Sequence, residues 1–225
     1  MGRWLAHLGL SRLRDLTPDG DGLRRPPRRI RAAWPGDMIN LDVKKVGHIP
    51  DGGGWPAHGH CSAAAKQSKR GPGAKVGYTY LHCAADGFSR LAYTEALPDE
   101  KAVATIGFFC RARAFFAAYG ITRLHQVGAN YKARDFTQCV EALASRHQRI
   151  RPYSPRHNGK VERFNRLLAD EVLYVRPYAS QQARREAIEM WVNDFKYHRP
   201  HTACGDQPPA SPTPARSNNV MPSYN

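Results

Sequence analysis

Met38-Ile39-Asn40-Leu41-Asp42-Val43-Lys44-Lys45-Val46 is the stretch on which the reading of the fold turns. Ile39, Leu41 and Val43 alternate with Asn40, Asp42 and Lys44, the period of two that gives a β-strand one apolar and one polar face. Residues 38–46 are therefore expected to form a strand from whose middle Asp42 projects. Outward from it, residues 78–85 and 91–96 read as two further strands around the turn Asp86-Gly87-Phe88-Ser89, completing three antiparallel strands. The Gly-rich loop Ile49-Pro50-Asp51-Gly52-Gly53-Gly54-Trp55 and a Lys/Arg/Ser/Gly stretch at 66–75, expected to be a mobile connection, separate the first strand from the second.

Downstream, the period changes. Val103, Ile106, Phe109, Ala112 and Phe116 stand at helical spacing, so 100–119 is expected to be a helix stopped by Gly120. Residues 121–127 then read as a short strand, 135–146 as a helix and 148–151 as a fifth strand. A helix over 159–175 follows with Asn158 as its N-cap, and an amphipathic helix over 180–197 ends at Arg199-Pro200-His201. Three strands, helix, strand, helix, strand, helix, helix is the order of an α/β domain, a mixed sheet with helices on both faces.

The composition sets the partner class. In 225 residues, 34 Lys and Arg face 19 Asp and Glu, a formal charge of +15, while 41% hydrophobic residues are enough for a core. An anionic partner is implied. No run approaches the ~18 apolar residues of a membrane span, and the first residues lack a signal-peptide pattern, so no membrane partner and a cytoplasmic location are expected. Cys61, Cys83, Cys110, Cys139 and Cys204 are odd in number, with no C-x-x-C, and read as reduced thiols. His58, His60 and Cys61, with His82 and Cys83, could be weighed as zinc ligands, but the loop composition favours a polar loop. Residues 1–34 carry Arg-rich, proline-broken sequence expected to be a short helix followed by a basic linker; 206–225 is expected to be a proline-rich, extended tail.

Asp42 and Glu162 are the leading candidates for metal chemistry. A hard divalent cation needs carboxylate oxygens converging from different elements, with open positions for phosphate and water. Lys44 and Lys45 follow the first carboxylate; Lys160, Arg163 and Arg166 surround the second, and cations of this kind suit DNA phosphates. Taken singly, each carboxylate is equally well an exposed charge.

The segments Asn40-Leu41-Asp42-Val43-Lys44-Lys45, Ser154-Pro155-Arg156-His157-Asn158-Gly159-Lys160-Val161-Glu162-Arg163-Phe164-Asn165 and His198-Arg199-Pro200-His201 resemble the integrase catalytic core of DDE-type bacterial insertion-sequence transposases, relatives of retroviral integrases. The similarity runs over 35–205, extending to about Pro212. It implies a ribonuclease-H-like fold with a five-stranded mixed sheet, and three carboxylates holding two Mg²⁺ or Mn²⁺ ions for DNA strand cleavage and transesterification. It also implies DNA as partner, a homo-oligomer on DNA, a nucleoid-associated location, and DNA contacts from Lys44, Lys45, Asn158, Lys160, Arg163 and Arg166. Asp42 would be the first carboxylate and Glu162 the third.

Two departures from the family pattern qualify what the resemblance implies. Counting back from Glu162 by the family spacing, the second Asp falls on Gln126, whose amide oxygen carries no net charge. Impaired catalysis is expected, and a catalytically inactive, DNA-binding remnant is the alternative. The helix-turn-helix modules that precede such cores are represented in 1–34 only by a remnant.

Overall fold

The computed structural model describes residues 7, 31–53, 57–59, 61–68, 77–129, 131–144, 146–149 and 158–214. The expected N-terminal helix, most of the basic linker, His60, most of the 66–75 connection, the Ser154–His157 part of the glutamate motif and the tail beyond 214 lie outside those residues.

Alternation in the first stretch produces β1, Met38–Gly47. It pairs antiparallel with β2, Tyr78–Asp86, which pairs antiparallel with β3, Ala92–Leu97. On its other edge β1 pairs parallel with β4, Gln126–Ala129, and β4 with β5, Arg146–Arg149, giving the order β3-β2-β1-β4-β5. A parallel neighbour requires a crossover, and α2, Ala102–Ala118, supplies it before β4; α3, Arg134–Leu143, connects β4 to β5. This is the five-stranded mixed sheet of the ribonuclease-H-like fold.

Both faces of β1 are covered, each by its own cluster. Ile39 and Leu41 join Phe108, Phe109 and Phe116 of α2 and Phe136 and Val140 of α3, with Val127 and Ala129 of β4. Val46, Leu81 and Cys83 lie against the opposite layer, where α4, Gly159–Leu168, contributes Val161, Phe164 and Leu168, and α5, Gln181–Tyr197, contributes Ala187, Ile188 and Phe195. Asp42 thus belongs to a face that is polar only locally, beneath α4.

Several boundaries differ from the sequence reading for identifiable reasons. Residues 63–68, read in part as a connection, form α1, Ala63–Ser68: the alanines favour helix, and the Ser62 hydroxyl accepts from the Ala65 amide at 3.1 Å. The strand expected at 121–127 starts only at Gln126. Ile121 and Leu124 are buried at a spacing of three rather than two, and the pairing continues through Gly128 and Ala129, residues with little strand preference. The helix expected at 159–175 is α-helical to Leu168 and continues as a π-helical turn, Ala169–Leu173. The start of the proline-rich tail is packed rather than extended: the Ala210 amide donates to the Lys196 carbonyl at 3.0 Å, Ala210 packs on the α2 cluster, and Thr213 is buried.

Gly36 closes the β1–β4 junction. Its φ of 85° is left-handed, and a Cβ there would lie 2.3 Å from the Arg123 carbonyl oxygen. Its amide donates to Asp86 Oδ1 and its carbonyl accepts from the His125 amide, so β1, β2 and the entry to β4 meet at this residue.

Candidate functional site

Asp42 emerges from the middle of β1, opposite Cys83 of β2, on the face covered by α4. Glu162 lies in the first turn of α4, and Asn165, one turn later on the same helix side, donates from Nδ2 to Asp42 Oδ2 at 2.8 Å. That bond joins groups 123 residues apart, and Glu162 on the same helix lies near enough to feel the Asp42 charge. Burial raises the Asp42 pKa, with the Asn165 bond acting in the opposite sense; partial burial and then the Asp42 charge raise that of Glu162. Burial pushes the neighbouring Cys83 thiol up to about 12, so it stays protonated and is no thiolate ligand at neutral pH.

Unsatisfied amide groups surround the pair. Asn165 Oδ1 is buried without a hydrogen-bond partner, as are Asn158 Oδ1 and both polar atoms of Asn40, the residue two before Asp42 on the same strand face. Two carboxylates with spare oxygen acceptors beside them are a donor set that fits one hard divalent cation, since Mg²⁺ is commonly held by one or two carboxylates and completed by phosphate and water. Among the described residues, no group of three or more His, Cys, Asp or Glu is placed to hold a metal.

Gln126 is not beside this pair. The parallel register matches Gln126 with Met38, Val127 with Ile39 and Gly128 with Asn40. Gln126 therefore shares the strand face of Asp42 but stands four residues before its level, roughly 13 Å away at ~3.3 Å per residue. Counting from Glu162 selected it, and the register sets it off from Asp42 along the strand. Asp86 does not substitute either. It is fully buried at the end of β2, and its carboxylate accepts from the Gly36 amide at 3.0 Å and from the Ser89 amide and hydroxyl at 2.7 Å each. Asp135 is exposed at the start of α3.

The expected DNA contacts separate into different environments. Lys44 shares the Asp42 face, whereas Lys45 points to the other side and stands over the Tyr78 ring at 4.0 Å from its centroid. Asn158 does precede α4 as expected, but its side chain makes no cap; it is 1% exposed and donates to the Leu41 carbonyl over 3.4 Å, which removes it from any DNA-facing surface. Arg163 is exposed, and Arg166 forms an exposed ion pair with Asp170 at 3.6 Å. Lys160 is half-buried. In the R-P-H segment, Arg199 makes a two-pronged pair with Glu171, which also accepts from the Trp191 indole at 2.8 Å. This segment locks the π-helical turn to α5. Asn165 was not singled out from sequence beyond its place in the glutamate motif; only the spacing of three between it and Glu162 signalled that they share a helix side.

Residues 143–209 match the family model described as the integrase core domain. Over 83 residues, 37% of this chain, the sequence is 31% identical to the insertion element IS476 uncharacterized 39.2 kDa protein of Xanthomonas euvesicatoria; the match spans about a quarter, 24%, of that relative's length. Among solved structures, the simian T-cell lymphotropic virus intasome in complex with PP2A regulatory subunit B56 gamma superimposes with a TM-score of 0.55 over 91% of this chain and 64% of the matched one, at 15% identity. The catalytic core domain of BIV integrase matches at 15% identity and a TM-score of 0.49, over 77% of this chain and 91% of that one. The intasome chain shares the fold seen here, and residues 143–209 of this chain are similar to the integrase core domain.

Proposed function

We propose that this chain binds DNA and directs metal-dependent phosphodiester chemistry, strand cleavage and transesterification, at the Asp42–Glu162 pair. The observation that carries the reading is the Asn165–Asp42 bond, which ties the strand carboxylate to the helix that bears Glu162, beside unpartnered amide oxygens. Asp42 and Glu162 would hold Mg²⁺ or Mn²⁺; when bound, such an ion polarises a phosphate oxygen and lowers the pKa of water or a 3′-hydroxyl. Asn165 fixes the rotamer of Asp42 by engaging one oxygen. Lys44, on the same face, offers a positive charge to the incoming phosphate. The family relationship and the net charge of +15 support DNA as partner, and assembly on DNA as a homo-oligomer belongs to the same proposal. The described residues contain no helix long and apolar enough to cross a membrane.

Catalysis is proposed to be impaired, because a two-metal site needs a further carboxylate at the level of Asp42. The alternative is a DNA-binding remnant without catalysis. Strand joining of a pre-cleaved DNA end in Mn²⁺ decides between them, with the chain as it stands beside Gln126→Asp and Asp42→Asn. Impairment at position 126 predicts that Gln126→Asp gains activity and that Asp42→Asn in that background abolishes the gain. Activity gained by Gln126→Asp supports impairment at that position; silence of every form favours the binding remnant.

A further inference from the structure

Trp34-Pro35-Gly36-Asp37 leads into β1 as a tight turn whose form its residues dictate. A type II turn needs a fixed negative φ and then a positive one at its two central positions; proline supplies the first, Gly36 has the second at 85°, and the Asp37 amide closes the turn on the Trp34 carbonyl at 3.1 Å. The turn is held from several sides. The Asp37 carboxylate accepts from the Ala33 amide at 2.8 Å, and the Gly36 amide donates to Asp86 Oδ1 at 3.0 Å. The Gly36 and Asp37 carbonyls accept from the His125 and Gln126 amides at 2.8 and 3.0 Å.

On this anchored turn Trp34 is 54% exposed. Trp191 shows what the fold does with an indole it uses internally: its ring lies against those of Phe164 and Phe195, with centroids at 5.5 and 5.3 Å, and its N–H donates to Glu171. The ring beside Trp34 is that of His125, itself exposed, with centroids 6.3 Å apart and planes tilted by 54°, so the two do not stack face to face. A tryptophan fixed in place, left to water and flanked by a second ring offers a stacking surface that the protein does not fill. The chain around it is basic. Arg31 is exposed three residues before Trp34, and Arg123 is exposed two residues before His125; its carbonyl oxygen lies where a Cβ on Gly36 would be, so that segment abuts the same turn.

We infer that Trp34, with His125 beside it, is a stacking platform for one unpaired nucleobase of a DNA strand. A nucleotide fits both parts of the surface, since its base has apolar faces for the indole and its phosphate is an anion for the neighbouring arginines. The base must be unpaired, as at a frayed or single-stranded end, because inside a duplex its faces are already covered by adjacent bases. The inference rests on the DNA-binding reading above and adds to it a contact at the end of the sheet where β1 and β4 begin, apart from Asp42 in mid-strand. Every base has a π-face, so this contact distinguishes unpaired from paired DNA rather than one sequence from another.

The test titrates the whole chain with oligothymidylate while tryptophan emission is followed, and repeats the titration with a blunt duplex of equal nucleotide number. The variants are Trp34→Leu, Trp34→Phe, which keeps a ring, and His125→Ala. Oligothymidylate is expected to quench emission of the unaltered chain and to do so less in Trp34→Leu, whose affinity for the single strand falls about tenfold; Trp34→Phe loses about threefold, and duplex affinity stays within about twofold in every variant. Circular dichroism of each variant accompanies the titration. Should Trp34→Leu not fold, His125→Ala at its exposed position gives the answer: a loss for the single strand alone supports the platform, and no loss overturns it. Unchanged single-strand affinity in Trp34→Leu overturns the platform, as does an equal loss for single strand and duplex, and both results leave DNA binding standing. Failure of the unaltered chain to bind either DNA overturns the DNA reading itself and the platform with it.

Discussion

Asp42 and Asp86 are two carboxylates on neighbouring strands of one sheet, yet they are solvated by the protein in opposite ways. Burial raises the pKa of both. Asp86 answers with three donors, the Gly36 amide and the amide and hydroxyl of Ser89, and is completely enclosed. Asp42 has one side-chain partner, Asn165, with Lys44 near it on the strand and a second carboxylate, Glu162, near it on α4. A carboxylate whose acceptors are filled is part of the fold; one left short beside another carboxylate is poised for a ligand the fold does not supply.

The largest consequence of this contrast concerns Asp86. Asp86→Ala strands two buried amides and a hydroxyl, and is expected to cost about 2–4 kcal/mol in urea unfolding. A loss below about 1 kcal/mol would erase the distinction between the two sites. Asp42→Asn should go the other way, stabilising the metal-free chain at neutral pH by about 1 kcal/mol, since the amide keeps an acceptor for Asn165 and removes a strained charge. The pH dependence has a definite sign. Because burial raises the folded pKa of Asp42 and Glu162 above their ordinary values of 3.8 and 4.5, the folded state holds protons longer than the unfolded chain. Stability contributed by these two groups therefore falls as pH rises from those ordinary values through the raised folded ones, and Asp42→Asn flattens that part of the profile.

Smaller effects sharpen the same comparison. Asn165→Leu, which removes the group that orients Asp42, should weaken Mn²⁺ binding about tenfold in calorimetric titration, in the manner of other outer-shell partners. Arg199→Gln breaks a partly exposed pair with Glu171 and should lower stability by less than about 1 kcal/mol by thermal unfolding.

The amino-acid pattern discloses the frame of the site better than its detail. Alternation in 38–46 placed Asp42 on a strand, and the helical period after Gly159 placed Glu162 in a first turn, because both patterns are set by local backbone geometry. The β4 strand was misplaced because its actual residues, Gly128 and Ala129 among them, have no side chains that announce a strand, while Ile121 and Leu124 bury themselves without pairing. Gln126 was selected by counting along the chain, and its pairing with Met38 of β1 is set by register between strands, a long-range property that spacing does not encode. The packed segment around Ala210 escaped for a related reason: its hydrogen bond to Lys196 comes from tertiary contact, not from any preference of a proline-rich sequence.

The central claim is that Asp42 and Glu162 form one divalent-cation site. Mn²⁺-dependent thermal unfolding of the chain beside Asp42→Asn and Glu162→Gln tests it most directly. A melting temperature that rises with Mn²⁺ in the unaltered chain and stays flat in both variants is the predicted result; an equal rise in all three would show that the ion binds elsewhere and contradict the assignment.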